Sequence, residues 1–520
     1  MRLRLPVIPR RRHDGLVSAR QRDGAVSVTS GASGTYRSLV PARLDRLPWR
    51  PFHTRVVTAL GVSWILDGLE IQIISQISIF LEKQHKIVLT AEQAGLLGAL
   101  YLFGEVVGAL VFGWITDRLG RKKLFFVTLT VYLLSSAVGA FSPALWFLAL
   151  FRFVAGMGIG GEYAAINSAI DELIPPYYRG RADIYVSGTY WAGAALGAAA
   201  NLLLLNPHVL PTDLDLGWRL GFVLGPALGL GTIFLRRAVP ESPRWLMTHG
   251  RQVDAELVVG EIEAQVWSDG VELQPIPESK ALAITGRGKV SYRQFWRTMW
   301  IEYPRRSIVS LSLMISQAFL YNAIFFTNGQ VLVDFYHIKI QDTGYYLIPF
   351  AVANLLGPLA LGKKYDIIGR RKMIALAYGV SGALMVLSAP LSFAHLLNAT
   401  SQTVLWCVTF FFASAGTSAA YLTVSEIFPL ELRALAFASF FALSLLVGGV
   451  PAPLIYEHFV TGSTSHLALA IGYGVAGVAM AISGIIAGLC GVKAERKSLE
   501  RIAPPLSAAP RPIEPSLESP

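Results

Sequence analysis

The chain has 520 residues, of which 53% are hydrophobic and only 15% are charged, and its formal net charge is +11. Soluble domains carry about 25% charged residues, so this composition argues against a soluble enzyme and indicates a protein with much of its surface in lipid. The basic residues lie in turns between apolar runs, which is typical of membrane topology rather than of nucleic-acid binding. Two cysteines, both inside apolar runs, give no disulfide framework.

The chain begins with a basic arm over residues 1–52, which is rich in Ser, Gly and Thr and has no apolar core long enough for a signal peptide. This composition predicts disorder. The apolar runs that follow are each long enough to cross the hydrocarbon core as a helix. They predict twelve helices, at about 55–82, 93–116, 124–142, 145–172, 182–206, 218–237, 305–335, 343–363, 372–394, 403–426, 434–457 and 466–491.

These runs fall into two six-helix halves, residues 53–238 and 304–492, joined by a polar linker over residues 239–303. Apolar positions at helical spacing in residues 251–267 predict a helix within the linker. A C-terminal tail covers residues 493–520, and its Pro/Ser-rich part after about residue 502 is predicted to be disordered.

The Lys- and Arg-rich turns alternate along the chain with turns that have few basic residues. The basic ones lie near residues 119–123, 177–181 and 362–372 and at the start of the tail. The positive-inside rule then predicts a multi-pass protein of the plasma (inner) membrane with both termini and the linker in the cytoplasm.

Two motifs occur twice in the chain. The pattern Gly-x3-Asp-x2-Gly-Arg at residues 113–121 returns at 362–370, and Glu-x2-Pro-x3-Arg at 172–179 returns at 426–433. Two patterns that repeat at nearly one offset imply duplication of a six-helix unit, which is characteristic of secondary transporters.

The acids and arginines of these motifs lie where helices end at the predicted cytoplasmic side. They could pair across the two halves only when that side is closed, and would then hold one state of the protein. The simpler alternative, anchoring by basic turns, explains the lysines but not the fixed spacing. The predicted cytoplasmic gate comprises Gly113, Asp117, Arg118, Gly120, Arg121, Lys122, Glu172, Arg179, Gly362, Asp366, Gly369, Arg370, Arg371, Glu426 and Arg433.

The motif GWITDRLGRKK and its second-half counterpart resemble the signature of the major facilitator superfamily. The stretch at 152–181, PESPRWL at 240–246 and SEIFPLELRA at 425–434 are similar to sugar porters and metabolite:proton symporters within it. The resemblance covers about residues 55–495. It implies an all-α membrane protein with 12 transmembrane helices in two six-helix halves, and it adds Glu241 and Arg244 to the gate.

Ionisable groups at membrane depth are costly and mark candidate functional sites. Asp67 and Glu70 lie one turn apart on the first helix, and Arg152 lies in the fourth. In proton-coupled sugar porters an acid of the first helix opposes this arginine. The resemblance implies that Asp67 is that acid and that its protonation frees Arg152; a static buried ion pair is the alternative. Glu70, Glu105 and Glu162 are further proton-coupling candidates, with a cavity wall or a structural pair as the alternative for each.

The substrate positions depart from those of sugar porters. Ser316 stands where the seventh helix usually carries the first Gln of a pair, and the fifth and tenth helices lack the family's Gln-Leu-Ser, Gly-Pro and Trp. A hexose substrate is therefore not implied. For any aromatic in these helices, packing against lipid or another helix is the alternative to substrate contact. The substrate-binding candidates are Gln317, Asn322, Trp191, Tyr190, Phe325, Phe326 and Tyr421.

The sequence offers no metal-ligand cluster, phosphate-binding loop or nucleophile motif, so we predict no enzyme activity, metal or cofactor. The glycines at 156–161 lie inside an apolar helix and not after a strand, so they do not form a dinucleotide loop. The prediction is a secondary active transporter, acting as a monomer in membrane lipid without nucleic acid, that moves a small polar solute by alternating access with proton symport. The solute would be a sugar-like compound or an organic or aromatic acid. Facilitated uniport or efflux and a transporter-like nutrient sensor are the alternatives.

Overall fold

The structure is a computed structural model that describes residues 35–84, 90–206, 208–210, 216–236, 239–285, 291–325, 327–460, 466–504 and 506. Twelve long helical segments lie in these ranges. They are α1 (Pro51–Gln84), α2 (Ala91–Leu119), α3 (Arg121–Gly139), α4 (Leu145–Leu173), α5 (Pro176–Leu204), α6 (Leu216–Arg236), α7 (Pro304–Phe325, continued by Asn328–Asp334), α8 (Gly344–Ile367), α9 (Arg370–Phe393), α10 (Ala399–Glu426), α11 (Arg433–Ser444, a π-helical turn at Leu445–Gly449, then Pro451–Val460) and α12 (His466–Cys490).

Eleven of the described segments are long and apolar enough to cross a membrane. The twelfth, α5, has 29 residues. Its first two turns carry Arg179, Arg181 and Asp183, and its middle is rich in Gly, Ser and aromatic residues, so its hydropathy is lower. It packs between α1 of its own half and α8 of the other half. The predicted twelve-helix fold is thus confirmed.

Glycines set the spacing of the helices that carry the polar residues of the first half. A Cβ atom added to Gly156 or Gly160 of α4 would collide with the backbone carbonyl of Tyr101 or Glu105 of α2, respectively. Between α1 and α5, a Cβ on Gly68 would collide with the carbonyl of Tyr190. Small residues allow such close approach of membrane helices. The backbone of α4 is therefore held close to α2 near Glu105 and Arg152, and that of α1 is held close to α5 next to Asp67.

The same tight turn joins α2 to α3 and α8 to α9. Gly120 has φ of 90° and Gly369 has φ of 107°, a region of backbone conformation that glycine adopts far more readily than other residues. The two glycines are equivalent positions of the repeated motif. The duplication read from the sequence thus appears in the backbone as two equivalent hairpins.

The linker forms helices at Pro243–Thr248 and Gln252–Ser268, a 3₁₀ turn at Glu278–Lys280, strand β2 (Leu282–Thr285), a helix at Tyr292–Arg297 and a π-helical turn at Thr298–Glu302. We call the end of the bundle that carries it the linker end. The predicted linker helix over 251–267 agrees with the structure.

Residues 35–50 are ordered, which differs from the disorder predicted for residues 1–52. Strand β1 (Thr35–Ser38) pairs antiparallel with β2, and a short helix follows at Val40–Asp45. Val40 and Leu44 are buried in one cluster with Val259 and Ile262 of the linker helix. We call residues 35–50 the arm. The rest of the predicted N-terminal disorder, and the tail beyond residue 506, lie outside the described residues.

Candidate functional site

A cavity that is partly open to solvent lies between the two halves, and the empty space in and around it is about 750 Å³. Helices of both halves contribute to its wall, and eight of its eighteen described lining residues are aromatic. The aromatic lining residues are Trp64, Tyr163, Tyr190, Trp191, Tyr321, Phe325, Tyr421 and Phe441.

Trp191 joins the aromatic wall across the two halves. Its ring centroid lies 5.5 Å from that of Phe325, edge to face, and 5.6 Å from that of Tyr321. Tyr190, the neighbouring residue on α5, lies 5.1 Å from it. Such edge-to-face contacts stabilise aromatic pairs beyond their buried area. A flat ring could therefore stack in the cavity against side chains of both α5 and α7.

The polar part of the wall consists of amides, hydroxyls and one carboxylate. Gln317 Nε2 donates to the hydroxyl of Tyr421 at 3.1 Å, and Asn322 Nδ2 donates to the Ala318 carbonyl at 2.8 Å. Among the described lining residues Glu105 is the sole carboxylate, and none is Lys, Arg or His. The cavity can accept and donate hydrogen bonds, but it presents no positive charge.

Most predicted substrate residues lie on this wall. Phe326 falls outside the described residues. The lining residues that the sequence analysis missed include Trp64, Tyr163 and Tyr321. Tyr321 lies one helical turn after Gln317, so helical spacing from a candidate already chosen could have found it. The predicted residues that line the cavity are Gln317, Asn322, Trp191, Tyr190, Phe325 and Tyr421.

Asp67 is buried beside the cavity and has two phenol partners. Asp67 is 3% exposed. The hydroxyl of Tyr163, a cavity residue, donates to Oδ2, and the hydroxyl of Tyr101 donates to Oδ1 over a long 3.5 Å. No Lys or Arg in the described residues lies within ion-pair distance of Asp67. Its charge is therefore met by hydrogen bonds alone.

Arg152 pairs with Glu70, not with Asp67 as the resemblance implied. Arg152 Nη1 lies 3.6 Å from Glu70 Oε1, and both side chains are buried. The Ser136 hydroxyl also donates to Glu70 Oε1. The guanidinium lies 4.1 Å from the centre of the Tyr101 ring, the same tyrosine that reaches Asp67. One arginine is thus held by one acid, while a second acid lies one turn away.

Glu162 has its own cation. Arg236, near the end of α6, forms a buried ion pair with it and donates to the Ser63 hydroxyl from Nη2 at 2.5 Å. Arg236 Nη1 also donates to the carbonyl of Phe125 at 2.7 Å. This arrangement favours a structural pair for Glu162. The sequence analysis did not name Arg236 as a site residue, although a basic residue at the end of an apolar helix was a signal for it.

The gate residues meet across the two halves at the linker end. Arg179 Nη1 of α5 lies 3.3 Å from Glu426 Oε1 of α10, and Arg370 of α9 forms an ion pair with the same carboxylate. Asp366 Oδ2 of α8 accepts from the backbone N–H of Arg181 at 3.2 Å. One ion pair, Arg179–Glu426, and one hydrogen bond, from Arg181 to Asp366, therefore join the halves at the linker end.

Other gate residues join elements within one half. Arg121 Nη2 lies 2.8 Å from Glu172 Oε1. Glu241 accepts from the backbone N–H groups of Arg121 at 2.9 Å and Lys122 at 3.3 Å, where an anion meets the positive end of the α3 dipole. Arg433 donates to the nearby Phe428 carbonyl at 3.2 Å.

Glycines of the gate let the two halves touch. A Cβ on Gly113 would lie 2.6 Å from the Ala438 side chain of α11, and one on Gly362 would lie 2.9 Å from the Tyr185 ring of α5. Arg371 forms no ion pair with another described residue. The side chains of Asp117 and Arg118 lie outside the described part.

Arg244 connects the arm, the linker and the C-terminal segment. Its Nη2 lies 2.6 Å from Asp45 Oδ1, and its Nε lies 3.3 Å from Glu500 Oε1 of the short helix Leu499–Ile502. Burial alone would lower the pKa of the Arg244 guanidinium, but Glu500 and Asp45 outweigh burial and raise that pKa above its usual value. Arg244 therefore stays charged and ties three segments together.

Comparison with known proteins decides the family. Residues 55–504 match the sequence pattern of the family described as "Sugar (and other) transporter". The chain belongs to this family. It is a multi-pass membrane transporter of small solutes and not an enzyme, as the sequence predicted.

Two relatives illustrate the range of the family. The niacin transporter NiaP of Acinetobacter baylyi is 27% identical over 466 residues, which cover 89% of this chain and 99% of that protein. The D-xylose transporter of Levilactobacillus brevis is 27% identical over 438 residues, covering 79% and 87%.

Solved structures share the fold. The major facilitator superfamily proton:xylose symporter XylE bound to 6-bromo-6-deoxy-D-glucose matches with a TM-score of 0.68 and 18% identity, covering 87% of this chain and 98% of that one. The inward open conformation of XylE from E. coli matches with a TM-score of 0.60 and 18% identity, again covering 87% and 98%. These structural matches show that the chain has the major facilitator fold.

Proposed function

We propose that the protein is a proton-coupled symporter that imports a small aromatic solute across the plasma (inner) membrane by alternating access. The observation that carries the proposal is the arrangement of Asp67, Glu70 and Arg152. Two acids one turn apart share the neighbourhood of one arginine, and the arginine contacts only one of them. Such an arrangement has two alternative pairings, which is what a coupled carrier requires.

A proton on Asp67 would decide between the pairings. An isolated charge buried in a membrane protein costs several kcal/mol, and Asp67 has no cation within ion-pair distance among the described residues. When Asp67 carries a proton, the carboxyl group is neutral and Arg152 remains with Glu70. When Asp67 loses the proton, it competes with Glu70 for Arg152, so the guanidinium moves along α1 and the α1–α4 contact changes.

The tyrosines offer a route for that proton. Tyr163 lines the cavity and contacts Asp67 directly. A phenol hydroxyl can both donate and accept a hydrogen bond, so it can serve Asp67 in either protonation state. Proton exchange with the cavity would then occur through the hydroxyl of Tyr163.

The closed gate is the second half of the mechanism. Opening the linker end requires separation of Arg179 from Glu426 and of Arg181 from Asp366, because the two residues of each pair belong to different halves. Basic turns at this end favour placing it in the cytoplasm. Binding of solute and proton would offset the loss of these pairs and allow release into the cell.

The aromatic wall supports an aromatic solute. The indole of Trp191 and the ring of Phe325 form a stacking surface between the halves. The relative from Acinetobacter baylyi is named a niacin transporter, which agrees with a small solute that has a flat ring. The amides of Gln317 and Asn322 would hold polar substituents of the ring. A sugar remains the second candidate because of these two amides.

Uptake by purified protein in liposomes tests the proposal. Nicotinate, nicotinamide and D-xylose are each supplied outside, with and without an acidic exterior. We expect accumulation of a pyridine solute above the external concentration only with the pH gradient, and its loss when an ionophore removes the gradient. Equal uptake without a gradient would support facilitated uniport instead, and no transport of any solute would favour a sensor.

A further inference from the structure

Glu105 is the acid that the proton-coupling arrangement does not use. It lies on α2, is 3% exposed and lines the cavity. The two buried arginines of this region are occupied elsewhere: Arg152 contacts Glu70, and Arg236 contacts Glu162. In the described residues no Lys or Arg lies within ion-pair distance of Glu105. Its carboxylate has the Tyr101 hydroxyl as a hydrogen-bond partner and lines the solute space with no ion pair of its own.

The position of Glu105 is fixed by its backbone. A Cβ on Gly160 of α4 would collide with the Glu105 carbonyl, and a Cβ on Gly104 would collide with the carbonyl of Phe153. The two helices therefore cannot slide apart without losing this contact. This contact sets the place on α2 from which the Glu105 side chain reaches the cavity wall.

The rest of the wall favours positive charge. The faces of aromatic rings carry negative potential and attract cations, and the cavity is lined by Trp64, Tyr163, Trp191, Tyr421 and Phe441 among others. No Lys, Arg or His is present among its described lining residues. A solute with a free carboxylate would meet one like charge and no opposite charge.

We propose that Glu105 makes the cavity selective for small aromatic solutes that present a positively charged or N–H-bearing nitrogen, and against the same ring with a free carboxylate. The inference rests on the proposed function only in that the cavity holds the transported solute. Glu105 acts on the nitrogen group of the solute, while Asp67 carries the proton. A carboxylate near a cation in a site of low dielectric constant is a strong determinant of selectivity.

Three pyridines of equal ring size test this proposal by binding to the purified full-length protein at pH 7. They are 3-(aminomethyl)pyridine, nicotinamide and nicotinate, and affinity is measured by calorimetry or by ligand-induced thermal shift. We expect affinity to fall in that order, with at least a tenfold difference between the first and the last. Nicotinate binding as tightly as the amine would overturn the proposal.

Variants separate charge selection from folding. Glu105→Gln is expected to weaken binding of the amine at least tenfold and to leave nicotinate unchanged or tighter. Glu105→Asp keeps the charge and should keep the order, even if every affinity is lower. Thr417→Val, a cavity change of similar volume without charge, should also keep the order. An unchanged order in a folded Glu105→Gln variant would contradict the role given to this residue.

The outcome is distinct from that of the symport test. If none of the three pyridines binds while the liposomes accumulate another solute with the pH gradient, the aromatic selectivity is overturned and symport stands. If the order of affinities holds but uptake ignores the gradient, the reverse applies.

Discussion

Arg152 contacts Glu70 at 3.6 Å and leaves Asp67, one turn earlier on the same helix, to two tyrosine hydroxyls. The two acids lie on one face of α1, so a small movement of the guanidinium would exchange one partner for the other. This choice between two acids is the feature on which the proposed proton coupling depends.

The first prediction is that Asp67 and Glu70 are energetically coupled through Arg152. In Glu70→Gln, Arg152 can turn to Asp67, so the loss of stability should be small. The double variant Asp67→Asn/Glu70→Gln leaves Arg152 without an acid and should lose more than the sum of the single changes, by about 0.5–3 kcal/mol. The stability of each variant is measured by thermal unfolding in detergent.

A control cycle combines Asp67→Asn with Asp254→Asn. Asp254 is an exposed linker residue that pairs only with Arg251 among the described contacts. These two changes should add. Strict additivity in the Asp67/Glu70 cycle as well would refute the shared arginine.

The second prediction concerns the gate. Glu426→Gln removes the counter-ion of both Arg179 and Arg370, so the linker end should open more often. A cysteine at Ser187, a cavity residue, in a chain without Cys407 and Cys490 reports this opening. Labelling by an impermeant maleimide from the linker side should be about tenfold faster, if the pairs stabilise the closed end by about 1.4 kcal/mol.

Glu302→Gln, an exposed carboxylate next to α7, serves as the control and should not change the labelling rate. Equal rates in Glu426→Gln and in the parent protein would show that the charge pairs do not hold this end closed.

The third prediction is a pH dependence of the docked arm. Glu263 forms two ion pairs. Its Oε2 lies 2.6 Å from Arg43 Nη2, and its Oε1 lies 2.6 Å from Arg46 Nη2. Burial alone would raise the pKa of the Glu263 carboxyl, but these two arginines outweigh it and lower the pKa. A depressed carboxyl pKa stabilises the docked state above the unfolded value of about 4.3, and this contribution is lost as pH falls through the lower folded value.

Hydrogen exchange of the amides in residues 39–46 measures this docking. Exchange, corrected for its intrinsic pH dependence, should be slow from pH 7 to 5 and should rise below about pH 4. Glu263→Gln should exchange quickly across the whole range. Fast exchange in the parent protein at pH 7 would show that the arm is not docked.

The fourth prediction concerns the contact of α2 with α4. Gly160→Ala places a methyl group against the carbonyl of Glu105, so the helices must separate, and we expect a loss of several degrees in melting temperature. Gly231→Ala of α6 meets nothing within 4 Å, and it should be neutral or stabilising by up to about 1 kcal/mol because Ala favours the helix. A neutral Gly160→Ala would contradict the close packing.

The sequence was sufficient for the parts of the site that depend on repetition. The pairing of Arg179 with Glu426 could be foreseen because both belong to twinned motifs at the same end of the bundle. The cavity residues Gln317 and Trp191 could be foreseen because the family resemblance assigns their helices to the cavity.

The partners of Arg152 and Arg236 could not be foreseen. Asp67 and Glu70 share one face of α1, and the choice of Arg152 depends on side-chain positions that also involve Ser136 of α3. Glu162 and Arg236 come from helices whose relative rotation is not fixed by periodicity. The arm was missed because a helix of six residues has little stability alone and forms here by burying Val40 and Leu44 against the linker.

Proton movement during solute uptake, in the parent protein and in Asp67→Asn, tests the central claim most directly. Liposomes that contain a pH-sensitive dye report proton entry when solute is added without any imposed gradient. We expect acidification with the parent protein and none with Asp67→Asn, which should still exchange labelled for unlabelled solute across the membrane. Solute-dependent acidification by Asp67→Asn would contradict the account, because the proton would then be carried elsewhere.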